Sequence, residues 1–267
     1  MRILLIIIAA ALLLPNFIHK DITAFPDFDG KEEYNPALAY LNSIDKLEYY
    51  TDSIVATRQC TTASFDDVLS TVMVVRSRFY HGFSHFSLHE NWMAALAGRF
   101  IEEGLACKVQ PKDIIQHQNA ACSQQSIVVM ELLRRKNIPY RKVGFPHHYA
   151  LEAYVEGHWY FFDPDMEPTM TKEQRNLAHW QHNNDMLKQY YDTSRYTSLD
   201  YQFGNNQMAI VGSVNEVPAA NVKKFHALTQ IASRTAWLLP LLLLAYRHRP
   251  FFRLKFQRQK PQLSFSP

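Results

Sequence analysis

The sequence predicts an α+β domain, with helices preceding an antiparallel sheet and an apolar segment at either flank. Three observations carry this. Residues 65–80 and 123–136 place apolar side chains at helical spacing. Short β-like runs, YRKVGF, HYALEAYVE and HWYFFD, follow the second helix directly. Predominantly apolar runs lie at residues 2–18 and 235–246.

The first run, RILLIIIAAALLLPNFI, resembles a secretory signal or an uncleaved signal anchor within residues 1–20. No clean small-x-small site follows it, which favours the anchor. Residues 21–64 are polar, tyrosine-rich and poorly periodic, and predict an extended lead-in with a short helix near 36–47. A domain is expected over 65–215. It opens with a helix whose Phe65, Val68, Leu69, Val72, Met73 and Phe79 share a face. The glycine- and serine-bearing stretch 81–92 predicts a loop, and a helix is expected from about 92 to 103. The helix at 123–136 closes on Arg134, Arg135 and Lys136, bases that complement its dipole, and Asn137-Ile138-Pro139 stops it. A further helix is expected over 171–191, then a linker at 216–234.

The run 235–246 has only 12 residues between Arg234 and Arg247, and Pro240 is expected to kink it. A full span needs about 20 apolar residues. The run is nonetheless apolar on all sides, and a basic tail, 247–267, follows it. That tail carries Arg247, Arg249, Arg253, Lys255, Arg258 and Lys260 and no acid. Removing those six and Arg2 from the net charge of +3 leaves −4 for the rest, so the middle of the chain is mildly acidic. Bases beside apolar runs fit a membrane surface rather than nucleic acid, which needs a basic face on a folded domain. Positive flanks stay inside. The expected topology puts both ends in the cytoplasm and the main domain on the extracytoplasmic side, periplasmic or cell-surface. An exported domain with three cysteines predicts one pair and one free thiol, assigned as Cys60–Cys107 with Cys122 free.

Cys122 precedes the helix at 123–136, where the dipole and unpaired amides stabilise a thiolate. A lone cysteine is more often a small buried hydrophobe. The hairpin 147–165, HHYALEAYVEGHWYFFDPD, adds the second half of a site. Glu156-Gly157 fits a two-residue primed turn, which pairs Val155 with His158 and makes partner numbers sum to 313. In that register His148 is diagonal to Asp163 on the same face, within side-chain reach, and directly opposite Asp165. Pro164 cannot donate a ladder bond and ends the pairing. Asp163 is therefore ranked first and Asp165 second as partner of His148. Cysteine nucleophile, histidine base and orienting aspartate form a working unit.

These residues carry a resemblance. Cys122 opening a helix, then Asn137-Ile138-Pro139-Tyr140-Arg141, His148 with Glu152 four on, and Gly157 with Trp159 and Asp163-Pro164 resemble the transglutaminase-like superfamily, relatives of the papain fold. The match covers about residues 115–170. It implies a papain-like core and a Cys122–His148–Asp163 triad working by thioester-mediated acyl transfer, more in the manner of an amidase or cysteine peptidase than a crosslinker. Two positions depart from the pattern: Asn137 stands where glycine is usual, and Ala150 where an aromatic is usual. The Cys122 amide and the Gln116 side chain are candidate oxyanion donors, Gln116 by its spacing alone. A peptide or protein substrate is expected, and no cofactor or metal. His81, His85 and His89 are spaced for a helical metal site, but Gly82, Ser84 and Ser87 argue against a helix there. The rival expectation is a catalytically silent binding or assembly module, with partners in the cell envelope or polysaccharide export.

Overall fold

The computed structural model describes residues 2–19, 22, 28, 30, 33–196 and 198–248. Ten helices appear among them: α1 (Arg2–Leu13), α2 (Ile44–Thr57), α3 (Phe65–Arg78), α4 (Leu88–Phe100), α5 (Pro111–Ile114), α6 (Cys122–Arg135), α7 (Asn184–Lys188), α8 (Leu199–Phe203), α9 (Ala220–Thr235) and α10 (Leu238–His248). The strands are β1 (Tyr140–Gly144), β2 (Tyr149–Val155), β3 (His158–Phe162) and β4 (Ile210–Val211). They form one antiparallel sheet in the order β3-β2-β1-β4.

The β2–β3 register pairs Val155 with His158 and Leu151 with Phe162, the sum of 313 that the turn chemistry predicts. Glu156 and Gly157 both have positive φ, 51° and 83°, as a primed two-residue turn requires. Alternation then sends the two faces of the sheet into different cores. Leu151, Ala153, Val155 and Phe162 pack with Val128, Val129 and Leu132 of α6 and Val68, Val72 and Val75 of α3. Ala150, Phe161 and Val143 face the other way, onto Trp180, Leu187, Tyr191 and Phe203. This second core is built from the chain after the hairpin.

α6 is held at both ends. The Gln124 side chain reaches back to accept from the Ala121 amide (3.2 Å) and donates to the carbonyls of Ser84 and Lys108 (2.9 and 2.7 Å). At the other end the Ile138 amide donates to the Leu133 carbonyl and the Asn137 amide to that of Arg134, with Asn137 at φ 56°. This is a Schellman cap. Asn137 replaces the usual glycine because asparagine tolerates the left-handed conformation the cap imposes.

Several expectations are corrected. Cys60 and Cys107 do not pair; both are free thiols. The Cys107 Sγ donates to the Glu103 carbonyl (3.5 Å), and burial pushes its thiol up to about 12. The lead-in is not wholly extended, because Ile44, Leu47, Thr51 and Val55 bury one face of α2. Residues 171–191 form no continuous helix but 3-10 turns at Glu173–Arg175 and Leu177–His179 and the short α7, separated by Asn176 and Asn183, whose side chains cap new starts. Most of 216–234 is helix α9, packed on α4. Pro240 does not break α10; it sits in the first turn, where its missing N–H costs nothing, and the 51° bend falls before α10 begins. Among the described residues no single helix is long and apolar enough to cross a membrane, although α9 and α10 together pass on length and composition. The basic tail after 248 lies outside the described residues.

Candidate active site

α6 and the β2–β3 hairpin bring Cys122 and His148 together. Cys122 is the first residue of α6, and His148 immediately precedes β2. The Cys122 thiol and a His148 ring nitrogen lie within 4.8 Å of one another. The Nε2 of His148 lies 2.6 Å from Oδ2 of Asp163, which leaves Nδ1 for the thiol. The imidazole packs against Phe203 and Phe145, with ring centroids at 5.1 and 6.2 Å. All three of Cys122, His148 and Asp163 are buried.

Asp163 is enclosed by donors. Its Oδ1 accepts from the amides of Met166 (3.1 Å) and Asp165 (3.2 Å), and its Oδ2 also accepts from the Tyr191 hydroxyl (2.8 Å). Its own amide donates to Glu167 Oε2 (2.9 Å), and Glu167 is paired in turn with Arg175 at 2.6 Å. Burial alone would push Asp163 up, but the charge and hydrogen bond of His148 and the donors around it hold it below the ordinary carboxylate value. Burial alone would lower His148, yet the charge and hydrogen bond of Asp163, helped by Cys122, hold it well above the ordinary imidazole value. The two directions agree: the pocket favours imidazolium beside carboxylate. Burial and the Asp163 charge push Tyr191 well up, so its hydroxyl stays a donor.

Asp165 has left the sheet, as Pro164 predicts, but it does not leave the site. Its carboxylate lies within 4.8 Å of both the Cys122 thiol and a His148 ring nitrogen. Gln125 Nε2 donates to its Oδ1 (2.9 Å), and His81 Nδ1 lies 3.0 Å from each oxygen. Thiol, imidazole and Asp165 carboxylate are also close enough to share one divalent cation. Beside Asp165 a cavity of about 150 Å³ opens, lined by His81, Met166, Tyr196 and Gln202.

The other candidates point elsewhere. Gln116 is exposed, and its amide donates to the Asn42 carbonyl (2.8 Å) rather than reaching the thiol. His81, His85 and His89 do not converge: they meet Asp165, Glu103 and Ser87 respectively. Glu152 is fully buried on Arg141 (2.5 Å), a structural pair beneath Trp159. Tyr191, Glu167 and Arg175 were not legible as site residues. Glu167 and Arg175 follow the hairpin closely, but no spacing rule links Tyr191 to an aspartate 28 residues earlier.

No family model matches the chain, and no curated protein does. Among solved structures the chain is similar to one described as a crystal structure of a TGase, at 17% identity and a TM-score of 0.33. The likeness covers 48% of this chain and 32% of that one, so the chain spans about a third of that structure. At that score the likeness carries no argument, and the site stands on its own geometry.

Proposed function

We propose that the chain is a membrane-anchored, transglutaminase-like cysteine enzyme that transfers acyl groups through a thioester at Cys122, with water as the acceptor. The observation that carries this is the buried His148–Asp163 pair with the thiol of Cys122, at a helix start, within 4.8 Å of the imidazole. The sulfur adds to an amide carbonyl carbon. The C–N bond breaks as His148 gives its proton to the departing amine, and a thioester remains. Water then attacks the thioester, His148 takes its proton, and the carboxylic acid leaves as the thiol is restored. Asp163 holds the imidazole and stabilises its cation throughout. The Cys122 amide, at the first position of α6 with no acceptor within the helix, serves as an oxyanion donor. Water needs no second binding groove, which favours hydrolysis over crosslinking. The anchored domain faces the extracytoplasmic side.

The test is acylation by p-nitrophenyl acetate followed by peptide mass spectrometry. An acetyl group on Cys122 that forms in the first turnovers in the native protein and not in His148→Ala supports the reading. No acetyl-Cys122 at early times, and no p-nitrophenol release above that of Cys122→Ala, leaves a silent binding module as the better description.

A further inference from the structure

The two apolar flanks are not separate features. α1 packs alongside α10. Asn16, just after α1, donates from Nδ2 to the Ser233 carbonyl (3.1 Å) at the end of α9. The chain therefore runs towards that point in α1 and away from it in α10, so the pair is antiparallel. A polar cluster fixes the pair to the domain. Trp92 Nε1 also donates to the Ser233 carbonyl (2.9 Å), Ser233 Oγ donates to Asn91 Oδ1 (3.0 Å), and the Met93 amide donates to Ser233 Oγ (3.1 Å). Asn91 leaves helical geometry within α4 (φ −161°, ψ 79°), and its side chain reaches both Ser233 and Thr229.

Beyond that cluster the pair is apolar. No charged residue lies between Arg2 and Asn16, nor between Arg234 and Arg247. Large side chains stand in the open on both helices: Ile3 is 74% exposed, Ile7 57%, Leu239 64% and Leu243 54%. The two helices are similar in length. α1 runs from Arg2 to Leu13, and α10 runs from Leu238 after the 51° bend. At 1.5 Å per residue each rises about 15–18 Å, and the antiparallel arrangement turns the end of α10 towards the start of α1.

We propose that α1 and α10 form one antiparallel two-helix anchor that inserts into a lipid bilayer, with Arg2 and Arg247 at its far end and the Asn16–Ser233–Trp92 cluster at the near headgroup boundary. Lipid suits this surface better than a protein partner. α1 is apolar around its whole circumference, so it has no polar face to leave in water. Neither helix carries an acid, and bases at both ends complement anionic headgroups. A pair of about 15–18 Å is shorter than a hydrocarbon core of about 30 Å, a mismatch met by local thinning of the bilayer. α9 stays with the domain, because it packs on α4 and buries His226 and Ser233 there. The proposal rests on the anchoring part of the function above and is independent of the chemistry at Cys122.

The test uses the full chain and vesicles of phosphatidylcholine with phosphatidylglycerol, separated by flotation in high salt. The native protein is expected to float, and Trp237, at the junction of α9 and α10, is expected to be quenched by brominated lipid. Ile3→Glu/Ile7→Glu and Leu239→Glu/Leu243→Glu should each lower the floated fraction roughly tenfold or more, since either arm alone is too short to hold. Iodoacetamide labelling of Cys122 in the same samples should be unchanged, which shows the domain intact. A native protein that stays at the bottom of the gradient overturns the proposal. So does either double variant that still floats, or a dimer that forms without vesicles and does not float.

Discussion

Tyr191→Phe removes one oxygen from the site and nothing else. The Tyr191 hydroxyl donates to Asp163 Oδ2 at 2.8 Å in a fully buried setting, and its ring packs against Phe203 at 4.9 Å. The phenylalanine ring keeps that packing. A hydrogen bond to a charged acceptor is worth about 1.5–3 kcal/mol. For a chain of this size that is roughly 3–12 °C in Tm, at about 2–4 °C per kcal/mol. The acid side follows by linkage. Asp163 is held below its ordinary value, so it contributes stability that is present above the unfolded carboxylate pKa and is lost as pH falls through the folded value. Removing a donor raises the folded value, so the acid unfolding limb must move to higher pH. Denaturant melts at neutral pH and an acid titration by circular dichroism read both effects. Tyr196→Phe is the control, because Tyr196 meets Arg76 rather than Asp163. A Tyr191→Phe protein with native stability and an unmoved acid limb would refute the donor shell described for Asp163.

Three further outcomes are expected. Arg175→Met leaves Glu167 buried without its partner and costs about 3–5 kcal/mol in urea denaturation, and adding Glu167→Leu recovers much of the loss. His117, drawn down to about 4 by burial and the Lys108 charge, binds its proton less readily folded than unfolded. Stability should therefore fall as pH drops from 6.5 towards 4, by about 3 kcal/mol at about 1.4 kcal/mol per pH unit; urea midpoints of native and His117→Gln proteins across that window should differ in slope. Asn137→Ala should cost about 1 kcal/mol through its left-handed φ while Asn137→Gly costs nothing, read from thermal melts.

The parts of the fold that local chemistry dictates could be read directly. Glu156-Gly157 set the hairpin register, Pro164 ended the ladder, and the basic residues at 134–136 with Asn137 closed α6. Those steps placed His148 beside Asp163. What local chemistry does not dictate was lost. α2 has a polar, tyrosine-bearing surface that masks the spacing of Ile44, Leu47, Thr51 and Val55. The stretch 171–191 carries helical composition, but Asn176 and Asn183 restart the chain, which wraps over the second face of the sheet. That wrapping delivers Tyr191 to Asp163, a contact between distant segments with no signature in either. Asp165 was ranked only as a substitute for Asp163, since register describes strands and not the turn after Pro164 that swings its carboxylate towards Cys122. Cysteine parity failed because it counts thiols without geometry, and Cys107 is buried on a carbonyl.

The proposed activation of Cys122 by His148 is read from the rate of Cys122 alkylation by iodoacetamide between pH 5 and 9 in the native protein and in His148→Ala, with Cys60 and Cys107 replaced by serine in both. The native protein is expected to react fast, and to go on reacting into the acidic range. In His148→Ala the reaction should be slower at neutral pH by a factor on the order of 10 or more, as an ordinary thiol of pKa about 8.5 is only a few per cent thiolate there. Identical pH–rate curves for the two proteins would contradict that activation.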